Sequence, residues 1–279
     1  MIQILTDSCC DLPPDIIATH QIGVVPLNVF INDQAYKDGL NITPRDLFLE
    51  VEKTKKLPKT AAPSVAEVKQ LFESYPGDII FISIGSRLSA TYQSAVLATE
   101  LLPDRRITII DSNNLSTGIG QLVMLAVELR SEGKPYQEIA DTVLAARSSV
   151  KTSFIIDTLD YLYMGGRCSA MENVVGSLLR IHPVIEVKPD GTLGVKDKVR
   201  GSRTKTLHAM LTDFERHILE LNPRRVFITH TGCHADAEYL AKEIRKMVDV
   251  DEIIETTAGA TVSSHCGPNT IGLIYLTIH

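Results

Sequence analysis

Three hydroxyl side chains between an apolar run and a helical pattern are the first residues of this sequence that could do chemistry. Ser86, Ser89 and Thr91 follow the strand-like run at residues 78–82 and precede the helix predicted after it. At such a junction, the backbone N–H groups at the start of a helix and the nearby hydroxyls can point at one anion. The spacing alone fits a simpler interpretation better, in which Ser89 or Thr91 only caps the helix.

A threonine and a histidine far apart in the chain offer further polar groups. His265 lies in a predicted turn that is rich in Gly, Ser and Pro. An imidazole there can donate to a carboxylate and, when protonated, neutralise its charge. Thr60 lies just ahead of Pro63-Ser64, in a predicted loop that approaches a helix. Taken singly, Thr60 is an ordinary loop threonine and His265 an ordinary structural histidine.

The same residue types also fit an acyl hydrolase, with Ser89 as nucleophile and His265 as base. The G-x-S-x-G turn of many hydrolases is missing, and the sequence assigns no Asp or Glu partner. Neither G-x-x-x-x-G-K-S/T nor G-x-G-x-x-G follows a strand, so a nucleotide site is not indicated. The hydrolase therefore stays an alternative to a binding protein without catalytic residues.

Two further groupings suggest a metal site or a reactive thiolate. His230 and His234 are four residues apart with Cys233 between them. Because His230 ends a predicted strand and no H-E-x-x-H pattern is present, we predict no metal site there. Cys168 beside Arg167 resembles an activated thiolate, but the sequence indicates no partner for it.

The composition excludes other classes of function. The 279 residues carry a net charge of −6 without a Lys/Arg stripe interleaved with aromatics, which argues against nucleic-acid binding. Five cysteines without a C-x-x-C pair predict free thiols in a reducing cytoplasm. We see no signal-peptide pattern and no apolar run of membrane-spanning length, so we expect a cytoplasmic protein without stable membrane insertion.

The pattern of elements in the first half predicts an α/β fold. Three short aliphatic runs are each followed by a polar loop and a helical pattern, at residues 2–5, 78–82 and 107–110. Such loops gather at the carboxyl edge of a parallel sheet. Residues 24–30 and the turn around Asp33 predict a hairpin. Thr43-Pro44 starts one helix, and Ser64 with Glu67 has the capping-box spacing that starts another.

The second half changes to an α+β pattern. A turn at Asp190-Gly191 predicts antiparallel strands, and residues 271–278 predict a final apolar strand. We therefore predict two domains, an N-terminal mostly parallel α/β domain over residues 1–155 and a C-terminal α+β domain with an antiparallel sheet over residues 156–279.

The order of several short segments resembles the DegV family of lipid-binding proteins over essentially the whole chain. No single segment is specific, but their joint presence is. The segments are Thr6-Asp7-Ser8, Val25-Pro26-Leu27, Lys59-Thr60 with Pro63-Ser64, Leu88-Ser89 with Thr91-Tyr92, Asp111-Ser112, Leu159 through Arg167, Lys198 through Gly201, and Gly259 through Pro268.

This resemblance implies a two-domain fold with one long-chain fatty acid between the domains. Proteins of this kind can act as the lipid-presenting subunit of a fatty acid kinase, with no cofactor and no catalytic residue of their own. By similarity, Thr60 and Ser89 would hydrogen-bond the carboxylate and His265 would lie against the same headgroup, with Ser86 and Thr91 as neighbouring donors.

Two arginines match basic positions of the family near the mouth of the lipid site, Arg167 and Arg200. The resemblance implies that Arg200 assists phosphoryl transfer or the docking of the partner. The chain also departs from the family pattern, with Ala61-Ala62 in place of Ser-Gln and Ala90 in place of Gly. One hydroxyl donor is thus missing, and we expect a slightly remodelled headgroup pocket.

The hydrocarbon tail would supply most of the affinity. Each buried methylene contributes about 0.8 kcal/mol, so a long chain gives on the order of 10 kcal/mol before the cost of association. The aliphatic runs at residues 174–179 and 184–187 are candidates for lining the tail, although either run is equally well explained as plain core.

Overall fold

The structure, a computed structural model, describes residues 1–167 and 181–278. Its strands are β1 (Ile2–Asp7), β2 (Gly23–Val25), β3 (Asn28–Ile31), β4 (Gln34–Lys37), β5 (Lys59–Ala61), β6 (Asp78–Ser83), β7 (Ile107–Asp111), β8 (Val150–Ile155), β9 (Ile181–Val187), β10 (Leu193–Arg200), β11 (Leu221–His230), β12 (Glu252–Thr257) and β13 (Ile271–Thr277). Its α-helices are α1 (Pro14–Thr19), α2 (Pro44–Thr54), α3 (Val65–Ser74), α4 (Thr91–Glu100), α5 (Thr117–Ser131), α6 (Tyr136–Ala146), α7 (Asp160–Met164), α8 (Arg203–Glu215), α9 (His234–Met247) and α10 (Ala260–Cys266).

The predicted parallel sheet of the first half is confirmed. Strands β1, β2, β6 and β7 are all parallel and lie in the order β2-β1-β6-β7. The run at residues 24–30 is divided between two sheets. Its first part, β2, pairs with β1, whereas β3 starts a separate hairpin at Asn28. Pro26 lies at the break, because it has no N–H to donate to a continuing ladder.

A small antiparallel sheet with the order β4-β3-β5 carries one of the predicted site residues. The hairpin of β3 and β4 turns at Asn32 and Asp33, whose positive φ angles suit a tight two-residue turn. Strand β5 pairs with β3, so that Thr60 lies opposite Val29. The prediction of a loop at Thr60 is therefore wrong. A three-residue strand gives too short a pattern to be recognised from sequence.

The second large sheet has the order β10-β9-β8-β13-β11-β12 and is antiparallel except for the parallel pair β11 and β12. The turn at Asp190-Gly191 joins β9 and β10 as predicted. The mixed fold, with one parallel and one largely antiparallel sheet, is thus confirmed. Strand β8 precedes the predicted boundary at residues 155/156 but belongs to this sheet, so the chain changes sheets between β7 and β8.

Helix α5 lies between the two large sheets. It packs against β1 and β6 of the parallel sheet and against β8, β11 and β13 of the other. Ile119, Leu122 and Val123 of this helix share one apolar cluster with Ile80 of β6 and Ile274 of β13. A helix that is apolar around much of its circumference is expected in such a buried position. Throughout the described residues, the helices are too short or too polar to cross a bilayer.

Candidate functional site

A cavity of about 310 Å³ lies between the two large sheets and the small hairpin sheet. This volume is at the lower end of the range of about 300–1,000 Å³ that is typical of small-molecule sites. Most of the surface that faces the cavity is apolar. The apolar lining includes Leu27, Leu115, Phe154, Leu193, Val262 and Ile274.

Four of the predicted site residues meet in the wall of this cavity. Thr60 and His265 are 205 residues apart in the sequence, yet Thr60 Oγ1 lies 2.7 Å from His265 Nε2. The guanidinium of Arg167 donates from Nε to the carbonyl of Leu88 at 3.1 Å, which brings it beside Ser89. The structure therefore brings Thr60, Ser89, Arg167 and His265 together.

His265 is placed by a helix and not by an irregular turn, which corrects the sequence prediction. It lies on α10, whose face toward the cavity also carries Thr261 and Val262. Its Nδ1 is buried without a hydrogen-bond partner among the described residues. The backbone of Gly165 lies so close to the same nitrogen that a Cβ at this position would overlap Nδ1. The absence of a side chain at Gly165 thus makes room for the imidazole.

The imidazole of His265 is neutral near pH 7. Burial, with a smaller contribution from the positive charge of Arg167, lowers the pKa of His265 to about 4. Near neutral pH, His265 can therefore hydrogen-bond a carboxylate but does not supply positive charge. That charge comes from Arg167 instead.

Arg167 is a half-buried cation whose charge is unpaired in the described part of the chain. Within residues 1–167 and 181–278 it donates to two carbonyl groups, those of Leu88 and Gly165. None of the ion pairs formed by residues 1–167 and 181–278 includes it. Burial lowers the pKa of Arg167, but a guanidinium stays charged under all ordinary conditions. A buried cation favours an anion beside it.

The two serines and the threonine near the start of α4 have different positions. Ser89 Oγ lies 2.9 Å from Thr91 Oγ1 and accepts the Thr91 N–H at 3.3 Å, so Ser89 both lines the cavity and contacts the start of the helix. Thr91 is fully buried behind Ser89 and outside the cavity lining. Ser86 is exposed, lies outside the lining, and donates its N–H to Asp111 at 3.0 Å. The structure does not bring Ser86 to the other site residues.

The remaining predicted residues lie elsewhere or outside the described residues. Arg200 ends β10, where it is exposed and is not part of the cavity lining. Residues 184–187 form part of β9. The apolar side chains of this run pack in the core and do not line the cavity, which favours the interpretation of the run as plain core. Cys168 and residues 174–179 lie outside the described residues.

Two buried aspartates accept hydrogen bonds from the start of the helix that carries His265. The sequence analysis did not identify either of them. Asp11 accepts the Gly259 N–H at 2.8 Å, and Asp38 accepts the Ala260 N–H at 2.7 Å. Acceptors at the start of a helix are favourable, because its first N–H groups have no partner within the helix. Burial raises the pKa of Asp11 well above its usual range.

No local signal identifies these two aspartates. Asp11 lies 248 residues before Gly259 and Asp38 lies 222 residues before Ala260, so neither resembles a capping residue in sequence. Thr261 was also missed. Its buried hydroxyl faces the cavity and has no hydrogen-bond partner in the described residues.

The arrangement does not form the catalytic pair of a serine hydrolase. His265 Nε2 contacts Thr60 and not Ser89, whose hydroxyl is bonded to Thr91. In the described residues no carboxylate reaches His265 Nδ1 to orient the ring. A histidine with a pKa of about 4 is also a weak base at neutral pH. These groups are instead suited to hold an anion at the wall of an apolar cavity.

Comparisons with known proteins identify the family of this chain. The DegV family profile, described as an uncharacterised protein family, matches residues 1–277. A DegV domain-containing protein of Caldanaerobacter subterraneus subsp. tengcongensis is 33% identical over 277 residues, which cover 98% of each chain.

Solved structures with the same fold are described as fatty-acid-binding proteins. One, reported as fatty acid binding of a DegV family protein from Thermus thermophilus, has a TM-score of 0.94 at 28% identity and covers 99% of both chains. Another, a stearic-acid-binding protein from Eubacterium ventriosum, has a TM-score of 0.89 at 27% identity and covers 99% of this chain and 98% of its own. From the full-length match of the family profile and of these relatives, we conclude that the chain belongs to the DegV family.

Proposed function

We propose that this protein binds one long-chain fatty acid, with its carboxylate beside Thr60, Ser89, Arg167 and His265 and its tail in the apolar cavity. The observation that carries this proposal is the charge of Arg167, which has no ion-pair partner among the described residues and lies in the wall of a mostly apolar cavity. An ionised carboxylate is costly to bury unless it meets a cation and hydrogen-bond donors. The fatty-acid complexes of related DegV proteins support the same ligand class.

The hydrogen bonds around His265 favour a donor role for Thr60. Because no acceptor contacts Nδ1 in the described residues, the tautomer with its proton on Nε2 avoids burying an unpaired N–H. In that tautomer, Nε2–H donates to Thr60 Oγ1 over the 2.7 Å contact. The Thr60 hydroxyl proton is then free to donate to the carboxylate.

Ser89 can be a donor for a similar reason. Thr91 is fully buried, and its hydroxyl lies 2.9 Å from Ser89 Oγ. If the Thr91 hydroxyl donates to Ser89, the Ser89 proton points into the cavity. We assign Thr91 the role of positioning Ser89, and we assign Ser86 no part in headgroup binding.

We further propose that the bound acid is presented to a partner kinase in the cytoplasm and that this chain performs no catalysis itself. In the partner's active site, a carboxylate oxygen would attack the terminal phosphorus of a nucleoside triphosphate. The new P–O bond gives an acyl phosphate, and the bond to the leaving nucleoside diphosphate breaks. Membership of the DegV family supports this role, as does the exposure of Arg200 outside the cavity.

Native mass spectrometry of the gently purified protein tests the binding proposal. We expect a bound mass that matches one fatty acid per chain, and 1:1 binding of palmitate or oleate to the delipidated protein. A protein that is always free of lipid and does not bind either acid would contradict the proposal. Turnover of an added acyl ester to its free acid would instead favour the hydrolase.

The presentation role requires a separate test with a fatty acid kinase. We expect Arg200→Gln to leave the affinity for palmitate unchanged and to slow acyl-phosphate formation, because Arg200 lies outside the cavity lining. The exposed Arg216→Gln is the control for the lost charge. An equal loss of lipid binding and of phosphate transfer would argue against this role of Arg200.

A further inference from the structure

The geometry points to a second site, for a divalent transition-metal ion such as zinc, formed by His230, His234 and Glu255. His230 ends β11, His234 begins α9, and Glu255 lies on β12, the strand beside β11. Each residue offers one ligand atom, and these atoms lie within 4.8 Å of one another. This inference is independent of the proposed lipid function.

The three ligand atoms surround a common point. His230 Nε2 lies 2.7 Å from Glu255 Oε1, and His234 Nδ1 contacts the same oxygen. Two imidazoles and one carboxylate form a ligand set that zinc uses in proteins, with a fourth position left for water or another ligand. Tetrahedral bonds of about 2.0–2.1 Å require ligand atoms roughly 3.3 Å apart. Glu255 is partly exposed and can move outward by the small distance that this requires.

The surroundings of His234 suit metal binding. Its Nε2 lies 3.3 Å from Glu238 Oε1, one helical turn further along α9. A metal-bound imidazole usually donates its other N–H to a carboxylate, which fixes the tautomer and strengthens the ligand. Nδ1 contacts the Glu255 oxygen through a proton; once that proton leaves, a proton on Nε2 faces Glu238 and Nδ1 binds the ion. His234 is also exposed, so an ion can reach the site from solvent.

His230 is the weaker of the two imidazole ligands. Its Nδ1 accepts the Gly232 N–H at 3.2 Å, which keeps the ring proton on Nε2 in the metal-free protein. Metal binding at Nε2 must displace this proton and give up the bond to Gly232. We therefore expect His234 and Glu255 to contribute more than His230, and binding to strengthen as the pH rises.

This proposal departs from the sequence prediction that no metal binds here. That prediction considered Cys233 as a third ligand, but the Cys233 thiol donates to the Thr270 carbonyl at 3.2 Å and is not part of the cluster. Glu255, which lies 21 residues after His234, supplies the missing ligand through the pairing of β11 and β12. Imidazole ligands favour zinc, cobalt, nickel and copper over magnesium and calcium.

Isothermal titration of the chelator-treated full-length protein with zinc tests the site. We expect one zinc ion per chain, a loss of affinity of at least about 10-fold in His234→Ala and in Glu255→Gln, and a smaller loss of about 10-fold or less in Glu238→Gln. The control is His208→Ala, which removes an exposed histidine on α8 outside the cluster. Circular dichroism would verify that each variant is folded. If Glu255→Gln unfolds, the zinc affinity of His234→Ala is the deciding measurement, because the His234 side chain is exposed and its removal should not affect folding.

Three outcomes would overturn the proposal. They are the absence of zinc binding, an unchanged affinity in both His234→Ala and Glu255→Gln, and an equal loss in His208→Ala. Cobalt gives an independent measurement, because its visible absorption reports the ligand geometry. We expect a tetrahedral nitrogen–oxygen spectrum in the wild type that is lost in His234→Ala; a spectrum with thiolate character would also overturn the ligand set.

Discussion

At the scale of single residues, the proposed headgroup site depends on polar groups that have no acidic partner in the described residues. Arg167 is directed at carbonyl groups, and His265 is neutral and bonded to Thr60. A buried polar group without a hydrogen-bond partner costs free energy. A carboxylate would satisfy several of these polar groups at once.

Replacing Thr60 with valine removes the proposed donor while it keeps the shape of the side chain. A hydrogen bond to a charged group contributes about 1.5–3 kcal/mol, so we expect Thr60→Val to weaken palmitate binding roughly 10- to 100-fold. The control is Thr212→Val, an exposed threonine on α8. Isothermal titration measures both. Equal affinities in the two variants would exclude Thr60 as a headgroup ligand.

Arg167 provides the charge, so its removal should affect acids and not uncharged lipids. We expect Arg167→Gln to weaken palmitate binding by at least about 10-fold, with little effect on methyl palmitate, because the ester carries no charge. Arg167→Lys should recover only part of the loss, since it keeps the charge but not the fork of donors. The exposed Arg216→Gln is the matched control. A parallel loss for acid and ester would indicate a packing defect instead.

The pKa of His265 predicts a component of the pH dependence of stability. The pKa of about 4 in the folded, ligand-free protein lies below the usual value of about 6.5 in an unfolded chain. As the pH falls from about 6.5 to 4, the unfolded chain takes up a proton that the folded protein does not. The contribution is therefore fully present above about pH 6.5 and is lost on acidification, by on the order of 3 kcal/mol at most.

Chemical denaturation of delipidated wild type and His265→Gln at a series of pH values measures this component. We expect the difference between their free energies of unfolding to decrease toward pH 4, because the variant has no imidazole to titrate. The comparison removes the contributions of the carboxylates, which both proteins share. Parallel pH profiles would contradict a neutral, buried His265.

At the scale of elements, the features that depend on residues close in the sequence were predicted, whereas those that depend on long-range packing were not. The helix start at Thr43-Pro44 and the capping box of Ser64 and Glu67 were predicted, because each signal lies within four residues of sequence. Strand β12 was not predicted: it lies at the edge of its sheet, and most of its side chains are exposed or half-buried. The convergence of Thr60 with His265 was implied only by family resemblance, since it depends on long-range packing.

The helix that carries His265 should depend on its distant aspartates. Asp38 accepts the Ala260 N–H at 2.7 Å and the Ser8 hydroxyl at 2.9 Å, and it thus joins the hairpin sheet to α10. Asp38→Asn replaces one acceptor oxygen with an NH₂ group, so one of these donors loses its partner. We expect a loss of about 1–3 kcal/mol in the free energy of unfolding, measured in urea. The exposed Asp104→Asn is the control, and an equal effect of both would refute this role.

At the scale of the whole molecule, the parallel and antiparallel sheets share one apolar cluster, and the cavity opens within it. The presence of one parallel and one largely antiparallel sheet was predictable from the change of pattern along the sequence. The position of the cavity was not, because a space between layers leaves no trace in hydrophobic periodicity. A ligand in this space would contact both layers and should therefore stabilise the folded chain as a unit.

Removing the lipid should consequently lower the melting temperature, because a ligand that binds only the folded state stabilises it by mass action. At a free concentration of about 100 times Kd, this amounts to roughly 2.7 kcal/mol, or on the order of 5–10 °C for a chain of this size. At equal free concentrations, palmitate should raise the melting temperature of the delipidated protein more than octanoate, since each buried methylene adds about 0.8 kcal/mol. Methyl palmitate should have a smaller effect than palmitate, because it leaves Arg167 without an anion. Equal shifts with octanoate and palmitate would mean that the tail stays outside the cavity, even if the headgroup site is correctly assigned.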